Sequence, residues 1–259
     1  MPSSEPNAEH PSLREVTAAP NYFARVSEAV LQIQNAPDLP AVLALLHEAV
    51  ARVGADVGAF LSFVEDDTSK TFRFLLDCDP QWSVEYERNA WYDDDPWFRY
   101  AKLHAEPVRG HQIPTQDEAQ RTIARLAERF GFCSTVILPA PASGGLSRLG
   151  MLSLGSRTAG YFDGEGFAAV SVAAAPLAIS LQDWCTRDAR DELLRTSRLT
   201  PQDLLLLRCE WEGLGTKQIA SATGMSEASI NSGFQRANAR LGMPNRKAAA
   251  RRAAEYGLI

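Results

Sequence analysis

Hydrophobic residues recur at two different spacings along the first two thirds of the chain. A recurrence roughly every three or four residues predicts amphipathic helices, and short apolar runs bounded by polar turns predict strands. Helices are predicted at 21–35, 38–53, 116–130 and 167–184, and strands at 58–64, 71–76, 134–138 and 149–154. Turns at 65–70 and 139–145 would join the strands in antiparallel pairs. The order predicts an α+β fold, with an antiparallel sheet between helix layers (α-β-α).

The last 60 or so residues predict short helices separated by glycines, without strands. Thr200 is placed to cap a helix that Gly213 ends, and 216–223 forms a second helix that Gly224 closes. Ser226 is placed to cap a third helix. A left-handed glycine between two short helices is typical of a helix-turn-helix. The predicted inner faces are Leu204, Leu207 and Trp211 on the first helix, and Ile230, Phe234, Ala237 and Leu241 on the third.

The length of 259 residues exceeds one typical domain and predicts two. The predicted boundaries are a flexible tail at 1–20, a ligand-binding domain at 21–184, a linker at 185–199 and an all-α four-helix DNA-binding domain at 200–259. Apolar runs fall short of the roughly 20 residues that cross a bilayer, which argues against a channel or transporter. The start lacks a signal-peptide core, so a cytoplasmic location is predicted. The four isolated cysteines give neither a zinc knuckle nor a disulfide framework.

The net charge of −6 is unevenly distributed. Residues 198–259 carry nine basic and five acidic side chains, a net charge of +4, which leaves −10 on the rest. A basic block on an acidic body is expected where one part of a chain meets a polyanion.

Polar side chains on the outer face of the third C-terminal helix have groups that can bind DNA bases. Asn and Gln can bond adenine edges, and Arg can bond guanine or phosphate. The predicted DNA-binding residues are Lys217, Ser226, Ser229, Asn231, Gln235, Arg236, Arg240 and Arg246. The spacing alone fits equally well a small helical bundle with a solvated polar face.

Trp82, Tyr86 and Asp95 fall in the pattern W-x3-Y-x8-D-P. An indole N–H only donates hydrogen bonds and a carboxylate only accepts them, so the two can orient a ligand that has both a carbonyl and an amide N–H. The alternative is structural. In that case Trp82 and Tyr86 are core residues one helical turn apart, and Asp95 caps a helix that begins at Pro96.

The sequence resembles LuxR-type quorum-sensing regulators in both halves. The run from LTPQD through EGLGTKQIASATGMSEASIN to RLGMPNRKAAARRAAEYGLI resembles their DNA-binding domain, and W-x3-Y-x8-D-P with LGMLSL resembles their autoinducer-binding domain over about 21–184. The resemblance implies that an N-acyl homoserine lactone lies between the sheet and a helix layer. Trp82 would donate to the lactone carbonyl, Asp95 would accept from the amide N–H, Tyr86 would wall the pocket and Ser153 would face the acyl carbonyl. The predicted ligand site is Trp82, Tyr86, Asp95, Ser153, Cys78, Trp97, Gly110 and Thr135.

Four of the departures from the family pattern bear on the ligand or on the recognition helix. Cys78 replaces a frequent Tyr, Gly110 a usual Trp, and Thr135 a frequent Gly. Loss of the Trp predicts a larger space near the ligand head group, and Thr135 would intrude elsewhere. Gly233 replaces a common His and predicts a softer recognition helix, because mid-helix glycine costs about 1 kcal/mol. The alternatives are an altered ligand, ligand-independent activity, or an anti-activator that forms heterodimers with a related regulator.

A seam of apolar residues in the helix at 167–184 predicts a dimer contact, through spacings of four and three. The seam is Val170, Ala174, Leu177, Leu181 and Trp184. The sequence has no GxSxG, HExxH or P-loop motif, so the chain is predicted not to be an enzyme. The predicted partners are double-stranded DNA, a lactone-like small molecule and a second copy of the chain. No metal, cofactor or membrane is expected.

Overall fold

The computed structural model describes residues 11–65, 70–141 and 148–259. They divide into two compact units, one ending at Trp184 and the other comprising Cys185–Ile259. The strands are β1 (Val57–Glu65), β2 (Lys70–Asp77), β3 (Val108–Arg109), β4 (Ser134–Pro141) and β5 (Arg148–Ser156). The helices are α1 (Leu13–Thr17), α2 (Tyr22–Gln34), α3 (Leu39–Val53), α4 (Gln81–Arg88), α5 (Pro96–Leu103), α6 (Glu118–Arg129), α7 (Phe167–Ser197), α8 (Pro201–Trp211), α9 (Thr216–Thr223), α10 (Glu227–Leu241) and α11 (Arg246–Glu255).

The five strands form one antiparallel sheet in the order β2-β1-β5-β4-β3. The predicted α+β fold class, with a separate helical C-terminal part, is confirmed. The predicted turn at 139–145 starts too early, because β4 continues to Pro141. Among the described residues, β3 pairs with β4 only at Val136 and Ile137. Pro139 and Pro141 of β4 lie beyond this pairing, at an edge of the sheet, where a missing N–H is tolerated. The rest of that turn, and residues 66–69 of the first one, lie outside the described residues.

The two faces of the sheet carry different layers. On one face, Ala59 and Leu61 of β1 stand opposite Ser153 and Met151 of β5. This face packs against buried residues of α4, α5 and α6 in one cluster that is rich in aromatic side chains. On the other face, a Cβ placed on Gly150 would lie 2.6 Å from Gln182 of α7. The ligand-site residues predicted from the sequence belong to the first, aromatic layer.

The predicted dimer seam on α7 is buried within its own unit. Val170, Ala174, Leu177, Leu181 and Trp184 are all at most 3% exposed. The prediction that they face a second copy is therefore wrong, because the same spacing also arises when a helix packs on its own sheet. Val172 and Ile179 are instead the exposed apolar side chains of α7.

The length and hydropathy of α7 are sufficient for one membrane span, by composition alone. Half of its most apolar window is buried inside the protein, however. We therefore regard α7 as a core helix.

Both segments predicted to be irregular contain helix. In the tail predicted at 1–20, α1 begins with a capping box between Ser12 and Glu15, and its Leu13 is buried. The part from 11 to 20 is therefore not a free tail, and 1–10 lies outside the described residues. The predicted linker at 185–199 is helical as far as Ser197, and its Leu193 and Leu194 pack against the C-terminal core.

The C-terminal unit has the predicted succession of short helices. Thr200 caps α8 through a capping box with Asp203, and Gly224 closes α9 in the left-handed conformation with φ 72°. The predicted burial of Trp211 is wrong, since its exposure is 54%. The inner face of α8 instead runs through Asp203, Leu206 and Leu207, and Trp211 lies off it.

Candidate functional site

Asp95 is the N-cap of α5 and is buried. Its Oδ1 accepts a hydrogen bond of 2.8 Å from the backbone N–H of Trp97. Its Oδ2 accepts another of 2.8 Å from the hydroxyl of Tyr86. The capping role considered from the sequence therefore accounts for one carboxylate oxygen, and the second oxygen is fixed by Tyr86.

The surroundings of Asp95 and Tyr86 determine the protonation state of each. Burial raises the pKa of Asp95 to about 6, although the hydrogen bonds from Tyr86, Trp97 and Phe98 act in the opposite direction. Burial, followed by the nearby charge of Asp95, raises the pKa of Tyr86 well above its ordinary value. At pH 7 Tyr86 is thus a donor and Asp95 is mostly an ionised acceptor.

Trp82 lies one helical turn before Tyr86 and is enclosed by other rings. Its ring centroid is 5.8 Å from that of Tyr86, and the rings of Trp91, Phe130 and Phe132 lie within 6.1 Å. Its indole N–H has no acceptor among the described residues. A donor of this kind remains available for a ligand carbonyl.

Sequence reasoning missed the three rings around Trp82. Phe130 and Phe132 flank Gly131, which ends α6 as predicted. Gly131 was the signal that could have indicated Phe130 and Phe132. A helix that ends at a glycine turns back toward the core, and the residues on either side of the glycine are then placed near the core as well. Trp91 belongs to a short 3-10 helix between α4 and α5, for which the sequence offered no periodicity.

Ser153 and Cys78 lie at the same aromatic layer. Ser153 is buried between Ala59 and Ile137, its cross-strand neighbours. Its hydroxyl has no partner within the described part of the chain. Cys78 is half-buried, and burial with the charges of Asp77 and Asp79 raises its pKa to about 12. It is therefore a protonated thiol and a weaker donor than the tyrosine it replaces.

Trp97, Gly110 and Thr135 lie together. A Cβ on Gly110 would come within 3.3 Å of Nε1 of Trp97 and within 3.1 Å of Cβ of Thr135. The space directly at the Cβ position of Gly110 is therefore taken up by Trp97 and Thr135, and the same three residues line a larger cavity beside it. Thr135 donates its hydroxyl to the carbonyl oxygen of Phe132 at 3.2 Å.

The predicted ligand residues thus form two adjoining groups. Trp82, Tyr86 and Asp95 make the enclosed group, and Trp97, Gly110 and Thr135 border a more open cavity of about 580 Å³. The Trp97–Asp95 hydrogen bond joins the two groups. Among the described residues, no cluster of three or more His, Cys, Asp or Glu side chains is arranged to hold a metal ion.

The outer face of α10 carries the predicted DNA-binding side chains. Ser226 caps the helix, accepting from the backbone N–H of Ser229 at 3.2 Å, and both serines are exposed. Asn231, Gln235 and Arg236 are also exposed, and Lys217 is exposed on α9. The buried stripe of α10 lies on the opposite side, at Ile230, Phe234, Ala237 and Leu241, as predicted.

Two of the predicted DNA-binding arginines are held by partners inside the unit. Arg240 pairs with the fully buried carboxylate of Asp203, and Arg236 lies 3.6 Å from the same group. Arg246 pairs with Glu210 at 3.0 Å and donates to the hydroxyl of Thr216 at 3.2 Å. Arg240 and Arg246 therefore tie helices together, whereas Arg236 is about half exposed.

Gly233 faces the inside of the unit. A Cβ there would lie 2.4 Å from Cδ1 of Leu206, a buried residue of α8. The expectation of a softened recognition helix is therefore incomplete, because the absent side chain lets α8 approach α10 closely.

Gly233→Ala is expected to destabilise the protein although alanine favours helix. The gain of about 1 kcal/mol in helix propensity is smaller than the 1–3 kcal/mol that overpacking typically costs. Urea unfolding of the variant checks this. Ala239→Gly, at an exposed site of the same helix, is the control for propensity alone. A more stable Gly233→Ala protein would show that Leu206 moves aside freely.

Comparison with known proteins identifies similar sequences and folds. Residues 38–183 match the autoinducer binding domain family. The structure of Escherichia coli SdiA has a TM-score of 0.71 at 17% identity, over 92% of this chain and 99% of that one. SdiA in complex with octanoyl-rac-glycerol gives 0.70 at 17% identity, over 92% and 96%. The N-acylhomoserine lactone dependent LuxR family transcription factor CepR2 of Burkholderia cenocepacia gives 0.54 at 15% identity, over 63% and 98%. No curated protein matches the chain.

Proposed function

The chain belongs to the autoinducer binding domain family and is a ligand-responsive regulator of the LuxR type, and we propose that it binds an N-acyl homoserine lactone-like signal and double-stranded DNA as a dimer. A cytoplasmic location is part of this proposal. The signal would occupy the aromatic layer of the first unit, and α10 would enter the major groove of DNA.

The arrangement of donors and acceptors around Asp95 carries this proposal. An acyl amide has one N–H and one carbonyl oxygen. The site has a buried carboxylate bonded to the Tyr86 hydroxyl, and the Tyr86 ring lies 5.8 Å from that of Trp82, which carries a free indole N–H. Each unpaired polar group in such a layer costs about 1–3 kcal/mol, so a ligand that pairs with both is selected over one that pairs with neither. The acyl-bound state of SdiA, a protein of the same fold, supports an acyl chain as the apolar part.

Trp82→Phe is expected to weaken the ligand response about tenfold, because it removes one hydrogen-bond donor and keeps an aromatic ring. The response is measured as the concentration of acyl homoserine lactone that gives half-maximal thermal stabilisation. Trp91→Phe, in the same ring cluster, is the matched control and should leave that concentration unchanged. Equal curves for wild type and Trp82→Phe would remove Trp82 from the site.

DNA binding is proposed for the exposed face of α10 together with Lys217. This face presents amides and Arg236 next to an N-terminal turn whose free N–H groups favour phosphate. A dimer would place two such helices on symmetric half-sites. Because the predicted seam is buried, the surface of α7 left for a second copy is the one with Val172 and Ile179.

Gel-shift titration of promoter fragments with the full chain tests the proposal. The expected result is a shift that an acyl homoserine lactone strengthens, with a complex of two chains per site. A shift that no lactone alters would favour a ligand-independent regulator. No shift, together with pairing to a related regulator, would favour an anti-activator.

A further inference from the structure

Trp97 borders two environments at once. Its indole is part of the buried aromatic layer, and it also lines the cavity of about 580 Å³ that opens beside Gly110. Small-molecule sites in proteins typically enclose about 300–1,000 Å³, so this cavity is large enough for a ligand group.

The inner wall of the cavity has an unused hydrogen-bond donor. Trp97 is 6% exposed, and its Nε1 lies 3.3 Å from the position of a Cβ on Gly110, which itself lines the cavity. No described residue accepts a hydrogen bond from this indole N–H. A buried donor beside open space favours a ligand that has an acceptor oxygen at that point.

The charged groups of the lining are two exposed carboxylates. Glu128 and Asp163 line the cavity, and His111, 3.1 Å from Asp163, is its basic neighbour. Lysine and arginine are absent from the lining among the described residues. Carboxylates accept hydrogen bonds and repel anions, so this lining favours a head group with N–H donors and disfavours a negatively charged one.

We propose that the head group of the acyl signal occupies this cavity, and that the chain selects a neutral head group carrying both an acceptor oxygen and N–H donors, such as a primary carboxamide, over a homoserine lactone ring. The lactone ring offers acceptors and no donor. The inference rests on the proposed function, because it places the acyl amide at Asp95. The backbone hydrogen bond from Trp97 to Asp95 puts the two subsites side by side.

The test uses three compounds that share an acyl chain and a stereocentre and differ only in the head group. They are N-acyl homoserine lactone, its ring-opened primary amide and its ring-opened carboxylate, each with butanoyl, octanoyl and dodecanoyl chains. Binding to the full chain is measured by calorimetric titration. With the best acyl length, the amide is expected to bind about tenfold tighter than the lactone, and the carboxylate weakest, because one net hydrogen bond is worth about that factor.

A pair of variants on α6 locates the effect. Ala124 lines the cavity, so Ala124→Phe fills it and should reduce binding of the amide to the level of the lactone. Thr122 is exposed on the same helix outside the lining, and Thr122→Phe should leave the preference intact. Glu128→Gln should raise affinity for the carboxylate by several fold, since it removes one like charge.

The outcomes separate this inference from the proposed function. Lactone binding that equals or exceeds amide binding would overturn the head-group subsite and leave the receptor function standing. An amide preference unchanged in Ala124→Phe would also overturn it, because the head group would then lie elsewhere. Binding of none of the compounds at any chain length would overturn both.

Discussion

Asp95→Asn is expected to make the unliganded protein more stable at pH 7 and to abolish its response to an acyl signal. Burial disfavours the ionised carboxylate and raises its pKa from 3.8 to about 6. Asparagine removes the buried charge and keeps an oxygen for the N–H of Trp97. Its NH2 group can donate to the Tyr86 oxygen, whose hydroxyl proton then loses its acceptor. The variant loses the acceptor of the ligand amide, because Oδ2, which accepts from Tyr86, is replaced by an NH2 group that only donates.

The pH dependence of this effect follows from the direction of the shift. Between the pKa of the unfolded chain and that of the folded protein, the folded state holds the extra proton, so stability falls as the pH rises through this window. The cost is absent below about pH 4 and fully present above about pH 6, where it amounts to about 3 kcal/mol. Asp95→Asn should therefore differ most from wild type near neutral pH.

Thermal unfolding of both proteins from pH 4.5 to 7.5 measures this contribution. Asp94→Asn, at the exposed neighbouring residue, is the matched control and should follow wild type. Asp95→Asn should lose the part of the slope that lies between about pH 4 and 6. A variant less stable than wild type across the whole range would show that the ionised cap stabilises α5.

Arg240→Ala is expected to destabilise the C-terminal unit by about 2–4 kcal/mol, because it removes the closer and less exposed of the two cations at the buried carboxylate of Asp203. Burial by itself raises the pKa of Asp203, but the hydrogen bonds from Thr200 and the charge of Arg240 lower it overall. The ionised carboxylate thus stabilises the unit above its unfolded pKa, and this stability is lost as the pH falls. Urea unfolding at pH 7 measures the effect.

Arg236→Ala is the matched comparison on the same helix. Its side chain is 48% exposed and 3.6 Å from Asp203, so its removal should cost less than about 1 kcal/mol of stability. It should instead weaken DNA binding and lower the slope of log affinity against log salt by about one. Equal loss of stability in both variants would contradict the division into a structural and a DNA-facing arginine.

The sequence predicted the longer elements well and the site elements poorly. α2, α3 and α6 carry enough turns for their periodicity to be read, and α9 was predicted with its observed bounds. The short helices α4 and α5 were predicted only as the structural alternative, in which Trp82 and Tyr86 lie one helical turn apart and Asp95 caps a helix that begins at Pro96. Eight residues crowded with aromatic and acidic side chains give too few repeats, and both helices are fixed by packing on the sheet.

The sequence also could not show where a residue from one element occupies the space of a side chain that is missing from another. The residue type at 110 predicted a larger space, and Trp97, from another element, takes up the part nearest that glycine while a cavity remains beside it. Likewise, arginine is a residue type typical of DNA contacts, but the partner of Arg240 is Asp203, which lies 37 positions away in the sequence. A single sequence shows the chemical group at each position. Only the fold shows which of these groups come together in one site.

Mass spectrometry of small molecules released from the purified protein shows whether Trp82 and Asp95 hold an acyl amide. The chain is expressed beside a culture that makes acyl signals, and Trp82→Phe and Asp95→Asn are purified in parallel. We expect one acyl amide to be retained by the wild-type protein and lost from both variants. A wild-type protein that carries no acyl compound, or variants that retain the same load, would contradict this expectation.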